Sequence, residues 1–305
     1  MSSDVQSSPR SATSQKANFP SRLNLVDAFN KPPPPLDFVL PGMLAGTVGS
    51  LVSPGGVGKS YAALEWAVLV ATGVNLMGLE FEAKQGRVVM LCAEDPADAL
   101  QHRLHALGRH LDLEARIQMD AGVDIFPLVG HPFDLMKKPC FDWALECAKG
   151  RRLMLIDTLR RIHVADENDG GEMAMLLGQM ERIANLTGCS ILFLHHTTKA
   201  AALNGQADMQ QASRGSSVLT DNIRWQAFLG GMTKEEAKEH GIPEQDRGQF
   251  VRFGIPKRNY GAPMPDVWLR RGDGGVLVTA DLIDRKHIKN KLPVRVKPVA
   301  ERQEW

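Results

Sequence analysis

From Gly46 onward, short apolar runs alternate with longer stretches of helical periodicity. The short runs are typical of buried strands, and the longer ones of helices that cover a sheet. The predicted strands span residues 47–52, 87–93, 124–129, 153–157 and 190–194, and the predicted helices span residues 59–72, 96–110 and 172–187. Because strands that alternate with helices pair in parallel, this pattern predicts an α/β fold with a mostly parallel central sheet flanked by helices.

The pattern changes after Arg214, where shorter apolar runs are joined by turns. The predicted strands here span residues 223–229, 250–255, 267–271 and 275–278. Strands joined by short turns pair in the antiparallel direction. We therefore expect an antiparallel C-terminal extension of the same sheet.

Composition divides the chain into four parts. Residues 1–22 are rich in serine and predict a disordered N-terminal tail. Residues 23–45 form an N-terminal arm, a short amphipathic piece followed by a stiff spacer that contains four prolines at 32–35. Residues 46–280 form the predicted catalytic domain, and residues 281–305 a basic C-terminal tail. The arm docks either on a neighbouring subunit or on its own domain, and the sequence favours neither.

The bulk composition is that of an ordinary globular protein. Of the 305 residues, 43% are hydrophobic and 23% charged, and the formal net charge is +1. A polyanionic partner would therefore need a local basic patch. The four cysteines lie in apolar stretches without zinc-site spacing, so we expect reduced thiols in a cytoplasmic protein. We expect no membrane segment and no secretory signal, because no apolar run is long enough for either.

The first chemical motif lies between the predicted strand 47–52 and the helix 59–72, and its sequence is Ser-Pro-Gly-Gly-Val-Gly-Lys-Ser at 53–60. Glycines let backbone N–H groups surround phosphate oxygens, and the helix N-terminus adds favourable partial charge. The motif predicts a P-loop that binds ATP, although Ser53 replaces the usual first glycine. The predicted nucleotide-binding residues are Pro54, Gly55, Gly56, Val57, Gly58, Lys59, Ser60 and Tyr61.

Mg²⁺ accompanies ATP in such sites, and two residues are predicted to bind it. The Ser60 hydroxyl is one ligand, while Lys59 reaches the β- and γ-phosphates. Asp157 ends the apolar strand 153–157, which places its carboxylate beside the metal. A strand-final aspartate occurs in many α/β proteins, so the prediction depends on its combination with the P-loop.

Two acids, Glu94 and Asp95, follow the strand after the P-loop helix. A carboxylate at this position can act as the general base that polarises the attacking water. We predict that Glu94 is this base, because Asp95-Pro96 is typical of a helix cap. The alternative is that both acids serve only capping and solubility.

Two histidines, His195 and His196, end the strand 190–194. A polar group at this strand tip can sense the γ-phosphate and pass the signal onward. Adjacent strand residues point to opposite faces, so at most one of the two lies in the nucleotide site. We favour His196.

The segment 197–213 is poor in apolar residues and predicts a long loop. Lys199 and Arg214 flank it and are the predicted DNA-binding residues, since their charges can contact the phosphates of single-stranded DNA. The loop contains no aromatic residue, so base stacking is not expected there. Ring ATPases also insert an arginine into a neighbour's site, and composition does not choose among the arginines of this chain.

Eight segments occur in an order that matches one known family. They are Pro-Pro-Pro-Leu-Asp-Phe-Val-Leu-Pro at 33–41, Ser-Pro-Gly-Gly at 53–56, Ala-Glu-Asp-Pro at 93–96, Asp-Thr-Leu-Arg-Arg at 157–161, Phe-Leu-His-His at 193–196, Gln-Ala-Ser-Arg-Gly-Ser-Ser at 211–217, Asp-Asn-Ile-Arg-Trp at 221–225 and Asn-Tyr-Gly-Ala-Pro at 259–263. Over residues 23–277 the chain resembles the RepA family, the hexameric replicative DNA helicases of broad-host-range IncQ plasmids.

The resemblance implies a RecA-like, DnaB-like P-loop core that forms a homo-hexameric ring. It implies ATP at the subunit interfaces, single-stranded DNA in the central hole and unwinding in the 5′ to 3′ direction. It also implies plasmid initiator and primase proteins as partners. By position, it implies that Arg224 is the arginine finger and that Arg271 is a second candidate for this role. It gives Lys59, Ser60, Glu94 and Asp157 the roles stated above, and one of the two histidines a role in linking nucleotide and DNA.

Three functions compete on the sequence alone. The first is an ATP-driven helicase, and the second is a slow-turnover regulatory ATPase that binds DNA without unwinding it. A RecA-like fold supports both. The third is a nucleotide-gated scaffold, against which the predicted base Glu94 argues.

Overall fold

The computed structural model describes residues 21–196, 217–261 and 263–282. The chain divides into a short unit, Met1–Leu36, and a large unit, Asp37–Trp305, which contains both sheets. Three predicted features lie outside the described residues. They are most of the N-terminal tail, the loop with Lys199 and Arg214, and the basic tail from residue 283.

The described part of the chain alternates strands and helices as the hydrophobic pattern predicts. The strands are β1 Phe38–Leu40, β2 Met43–Leu44, β3 Val48–Ser53, β4 Val88–Cys92, β5 Val123–Pro127, β6 Leu153–Asp157, β7 Ser190–His196, β8 Trp225–Gly231, β9 Phe250–Arg258, β10 Val267–Arg271 and β11 Leu277–Thr279. The helices are α1 Leu25–Asn30, α2 Lys59–Thr72, α3 Ala97–Gly108, α4 Leu113–Gly122, α5 Lys138–Ala148, α6 Gly170–Thr187, α7 Ser217–Asn222 and α8 Lys234–His240. Short 3₁₀ turns span Leu159–Arg161, Glu244–Gln249 and Asp273–Gly275.

Within the described ranges, nine strands form one sheet in the order β11-β10-β9-β8-β3-β7-β6-β4-β5. The strands from β5 to β8 pair in parallel. Strands β9, β10 and β11 then add to the β8 edge in antiparallel pairs. This arrangement confirms the predicted α/β fold with a mostly parallel sheet and an antiparallel C-terminal extension.

Both faces of the sheet are buried. Alternation along β7 shows this directly, because Leu192 and Leu194 belong to the cluster around α2, whereas Ile191 and Phe193 belong to the cluster around α5 and α6. A strand that is covered on both sides needs apolar residues at successive positions, which explains its continuous apolar sequence. The small hairpin of β1 and β2 adds the buried Val39, which belongs to the α2 cluster although its place in the sequence is beside the predicted spacer.

The N-terminal unit contains helix α1. Asn24 caps the helix, and its side chain accepts hydrogen bonds from two backbone N–H groups. Its apolar residues Leu25, Val26 and Phe29 are exposed.

Helix α2 lies at the centre of the large unit and is buried on nearly all sides. It ends at Gly73, whose φ of 80° is in the left-handed region that favours glycine. The helix buries a carboxyl group, Glu65, which is 1% exposed and accepts a 2.7 Å hydrogen bond from the backbone N–H of Leu277 in β11. Burial raises the pKa of Glu65 to about 8, so its neutral form is favoured at neutral pH.

This buried carboxyl group should make the protein less stable as the pH rises. Between the ordinary pKa of 4.5 and the folded pKa of about 8, the unfolded chain ionises Glu65 and the folded chain does not. Glu65→Gln keeps a carbonyl acceptor for Leu277 and cannot ionise. We expect this variant to be more stable than the wild type at pH 7.5, by on the order of 2 kcal/mol, with no difference near pH 4.5.

Chemical denaturation of both proteins at several pH values measures this difference. Glu181→Gln, which alters a glutamate of α6, is the matched control. Stability curves that stay parallel from pH 4.5 to pH 8 for wild type and Glu65→Gln would contradict the assignment of a raised pKa.

Candidate active site

The candidate site lies where the carboxyl ends of the parallel strands meet. Strands β3, β4, β6 and β7 all point toward this edge, because they pair in parallel. Ligands bind at this edge in open α/β sheets. A cavity of about 280 Å³ opens here, and its lining residues are Gly56, Gly58, Lys59, Ser60, Tyr61, Glu94, Asp95, Arg103, His196 and Arg271.

The P-loop connects β3 to α2, as the motif predicts. Gly56 and Gly58 have φ angles of 76° and 114°, which L side chains rarely adopt. Ser53, which stands where the first glycine of the motif is usual, is the last residue of β3 and is buried. Its hydroxyl oxygen lies 3.0 Å from the Lys59 ammonium. The serine therefore fits the loop as an acceptor, without the backbone freedom of glycine.

Lys59 is the first residue of α2 and is 5% exposed. Its ammonium lies 3.1 Å from the Ser53 carbonyl oxygen, 3.2 Å from that of Pro54 and 3.1 Å from Nδ1 of His196. Burial lowers its pKa to about 8, and the charges of Asp157 and Glu94 partly oppose this shift. Lys59 is thus a buried cation without a carboxylate in direct contact, which suits it to an anionic ligand.

Asp157 and Ser60 lie together, and the Ser60 hydroxyl hydrogen bonds to the aspartate. Asp157 is buried, and its Oδ1 has no hydrogen-bond partner among the described residues. Burial raises the pKa of this carboxyl group. Mg²⁺ in nucleotide sites takes one or two protein oxygens and completes its shell with phosphates and water. An orphaned carboxylate oxygen beside a hydroxyl fits this ion.

Glu94 is linked to Lys59 through His196. Nε2 of His196 lies 3.2 Å from Oε2 of Glu94, and its Nδ1 faces the Lys59 ammonium. An ammonium only donates, so Nδ1 accepts and the ring proton on Nε2 is directed at the carboxylate. One imidazole therefore connects the predicted base to the predicted phosphate-binding lysine.

The structure places the two histidines on opposite faces of β7. His196 lines the cavity, whereas His195 is buried on the side of Ile191 and Phe193. Burial lowers the pKa of His195 to about 4, with smaller contributions from His196 and Lys59. Of the pair, only His196 reaches the nucleotide-binding edge.

The expectation that Asp95 caps the following helix is wrong. Helix α3 begins after Pro96 without a side-chain cap, and Asp95 instead forms a two-point ion pair with Arg103. Arg103 also lies 5.8 Å from the ring centre of Tyr61. The pair fixes Asp95 and leaves Glu94 as the neighbouring acid that contacts His196. Sequence alone could not select Arg103, because most arginines lie on protein surfaces.

Two arginines that the family resemblance singles out lie at opposite edges of the sheet. Arg224 is exposed and immediately precedes β8, where it lines a second cavity with Gly46 and Val48. Because β8 and β3 are parallel, Arg224 is separated from the P-loop by the length of β3, about 17 Å. Arg271 instead contacts the chain's own P-loop, with its guanidinium 2.7 Å from the carbonyl oxygen of Val57.

This fold and this site define a P-loop ATPase of the RecA-like kind. A family model described as AAA domain matches residues 13–202, more than half of the chain. The chain belongs to this AAA domain family.

Two solved structures illustrate the likeness of fold. The ATPase domain of a DnaB-like helicase is 14% identical with a TM-score of 0.55, over 78% of this chain and 87% of that chain. The RadB recombinase is 13% identical with a TM-score of 0.51, over 78% of this chain and 92% of that chain. At these identities the likeness is one of fold alone. In the described residues, none of the helices has the length and apolar character to cross a membrane.

The lowered pKa of Lys59 predicts how nucleotide affinity depends on pH. Bound phosphates favour the charged ammonium, so the affinity should be constant below the pKa of about 8 and fall above it. The slope should approach about tenfold per pH unit. Titration of a fluorescent ATP analogue between about pH 7 and pH 9.5 measures this, over a range in which the phosphates are fully ionised.

Lys59→Arg is the matched control, because its guanidinium stays charged over the whole range. Its affinity should not depend on pH, whatever its absolute value. A wild-type affinity that stays constant to pH 9.5 would contradict the role of the Lys59 ammonium.

Proposed function

We propose that this chain is a ring-shaped, ATP-driven DNA helicase that moves along single-stranded DNA during plasmid-type replication, as the resemblance to the RepA family implies. The observation that carries the proposal is the contact chain from Lys59 through His196 to Glu94. It joins the phosphate side of the cavity to the last described residue of β7, and the segment 197–213 follows directly. Nucleotide state and this segment thus share one side chain.

Hydrolysis of ATP uses the residues of the cavity in distinct roles. The P-loop backbone and Lys59 hold the phosphates, and Ser60 and Asp157 hold Mg²⁺, which neutralises phosphate charge. Glu94 accepts a proton from a water molecule as its oxygen attacks the γ-phosphorus. The bond from that phosphorus to the bridging oxygen breaks, and ADP and phosphate result. Glu94 is partly exposed, so water can reach it.

Coupling to DNA runs through His196. The histidine contacts both the base and the lysine, so a change at the γ-phosphate alters its hydrogen bonds. Lys199 and Arg214, in the segment that follows, contact phosphates of the DNA backbone in this proposal. A protein with a net charge of +1 needs such a local patch to bind a polyanion.

Assembly of a homo-hexameric ring would complete the site. Arg224 lies at the far edge of the sheet from its own cavity, so it can act only on a neighbour's nucleotide. A cation that enters from a neighbouring subunit stabilises charge in the transition state. Within plasmid replication, initiator and primase proteins are the partners that the resemblance implies.

The first test is ATP hydrolysis with and without single-stranded DNA. We expect turnover to rise several-fold with DNA and the stimulation to fade with added salt, because phosphate contacts weaken as salt increases. Lys59→Ala should abolish hydrolysis and weaken nucleotide binding. Lys138→Ala, which alters an exposed lysine of α5, should behave as the wild type.

Unwinding of a forked duplex then separates a motor from a regulator. Strand separation that requires ATP supports the helicase. Slow turnover that ignores DNA, without strand separation, would replace the helicase by a regulatory DNA-binding ATPase or a scaffold. Unchanged hydrolysis in Lys59→Ala would reject the site itself.

The role of Arg224 predicts complementation between variants. Arg224→Ala should lower turnover and leave the assembly intact, because the side chain is exposed in the single chain. Mixed with Glu94→Gln protein, it should recover activity, since some interfaces then combine an intact Glu94 with an intact Arg224. Hydrolysis measured over a series of mixing ratios reports this recovery.

A mixture of Lys59→Ala with Glu94→Gln is the control, because both residues line the same cavity and neither variant can restore the other. Absence of recovery at every ratio for Arg224→Ala would show that Arg224 does not act between subunits.

A further inference from the structure

The C-terminal hairpin contacts the P-loop and the start of α2 at three points. Arg271 in β10 reaches the loop, the turn at Gly275 packs against the ring of Tyr61, and the backbone of Leu277 in β11 donates to Glu65. These contacts lie more than 200 residues apart in sequence from their partners, as the separations of 214 and 212 show for the two hydrogen bonds. The hairpin therefore determines where the P-loop lies.

The guanidinium of Arg271 binds carbonyl groups. It lies 3.1 Å from the oxygen of Gly56, 2.7 Å from that of Val57 and 3.3 Å from that of Gly248. Among the residues that the structure describes, no carboxylate forms an ion pair with it, and burial alone lowers its pKa. Its positive charge thus lines the cavity without a protein anion to balance it.

These contacts orient the P-loop backbone. A peptide unit is planar and trans, so its N–H points opposite to its C=O. When the carbonyls of Gly56 and Val57 face Arg271, the N–H groups of Val57 and Gly58 face away from it. Arg271 therefore fixes the direction of two N–H groups of the P-loop, and such groups bind phosphate oxygens.

We propose that Arg271 is a positioning residue that acts on the nucleotide of its own subunit. It aims the P-loop N–H groups and places a second cation beside the phosphates, so it is not an arginine finger for a neighbour. The inference rests on the proposed hydrolysis of ATP and assigns a further residue to that site. The missing anion of Arg271 is, in this assignment, a phosphate of ATP.

Buried or half-buried charges in proteins are normally paired, and an arginine without a carboxylate is suited to bind phosphate. Lys59 on the other side of the loop has the same property, since no carboxylate contacts its ammonium directly. Two cations and the loop amides thus face one cavity. The negative charge of a triphosphate matches this set.

Arg271→Ala should weaken the binding of a non-hydrolysable ATP analogue about tenfold or more, which is the loss expected for a charge-assisted contact. Arg271→Lys keeps the charge and loses the fork that bridges two carbonyls, so it should recover affinity in part and retain a low kcat. The matched control is Arg270→Ala, because this neighbouring arginine is exposed and donates to Gln249. Fluorescence titration and steady-state hydrolysis measure affinity, kcat and KM.

A second readout distinguishes action within a subunit from action between subunits. Mixtures of Arg271→Ala with Glu94→Gln should stay inactive at every ratio, because each site then lacks one of its own residues. Recovery of hydrolysis in these mixtures would overturn the assignment, and so would an Arg271→Ala affinity equal to that of Arg270→Ala. If Arg271→Ala does not fold, Arg271→Lys supplies both measurements.

Failure of this inference differs from failure of the proposed function. A wild-type protein that hydrolyses ATP, loses activity in Lys59→Ala and tolerates Arg271→Ala would reject only the role of Arg271. A wild-type protein without hydrolysis would reject the proposed function.

Discussion

The ammonium of Lys59 imposes the main constraint on this structure. A cation that is only 5% exposed needs acceptors on several sides, and the surrounding strand ends supply them. Ser53 ends β3, and His196 ends β7, the strand beside it. Since β6 lies next to β7, the carboxylate of Asp157 comes close enough to affect the same charge. The site geometry thus follows from the parallel register of these strands, because a one-residue slip would move each side chain to the opposite face.

Helix α2 depends on the antiparallel extension as much as on the parallel sheet. Its Glu65 carboxyl group binds the backbone of β11, and the loop before it binds Arg271 of β10. A strand order that ended at β8 would leave both groups without these partners. The C-terminal strands therefore belong to the nucleotide site, although they follow the P-loop by about 200 residues in the chain.

Much of this architecture could be predicted from the sequence, because the strands are buried on both faces and the P-loop motif has a distinct composition. Helix α2 and strands β6 and β10 have the predicted bounds. Helices α4 and α5 were not predicted, since few of their residues are buried and their apolar periodicity is weak.

The site was harder to predict wherever it depends on long-range contacts. The Asp95-Pro96 pair has the composition of a helix cap, yet Arg103 competes successfully for the carboxylate. The position of Arg271 depends on the pairing of β10 with β9, which no local pattern reports. By contrast, alternation along β7 was enough to show that the two histidines separate, because that rule is local.

The positions of the two arginines constrain how subunits can meet. Arg271 lies at the P-loop edge of the sheet, and Arg224 at the opposite edge. If Arg224 acts on a neighbour, the interface joins two different surfaces of the same chain. Such a contact is heterologous, and repeated contacts of this kind form a ring when the rotation closes and a filament when it does not. A two-fold dimer would not place Arg224 of each subunit at the other's cavity unless both edges met in one interface. The strand direction of β3 and β8 keeps them apart, so this geometry favours a head-to-tail assembly.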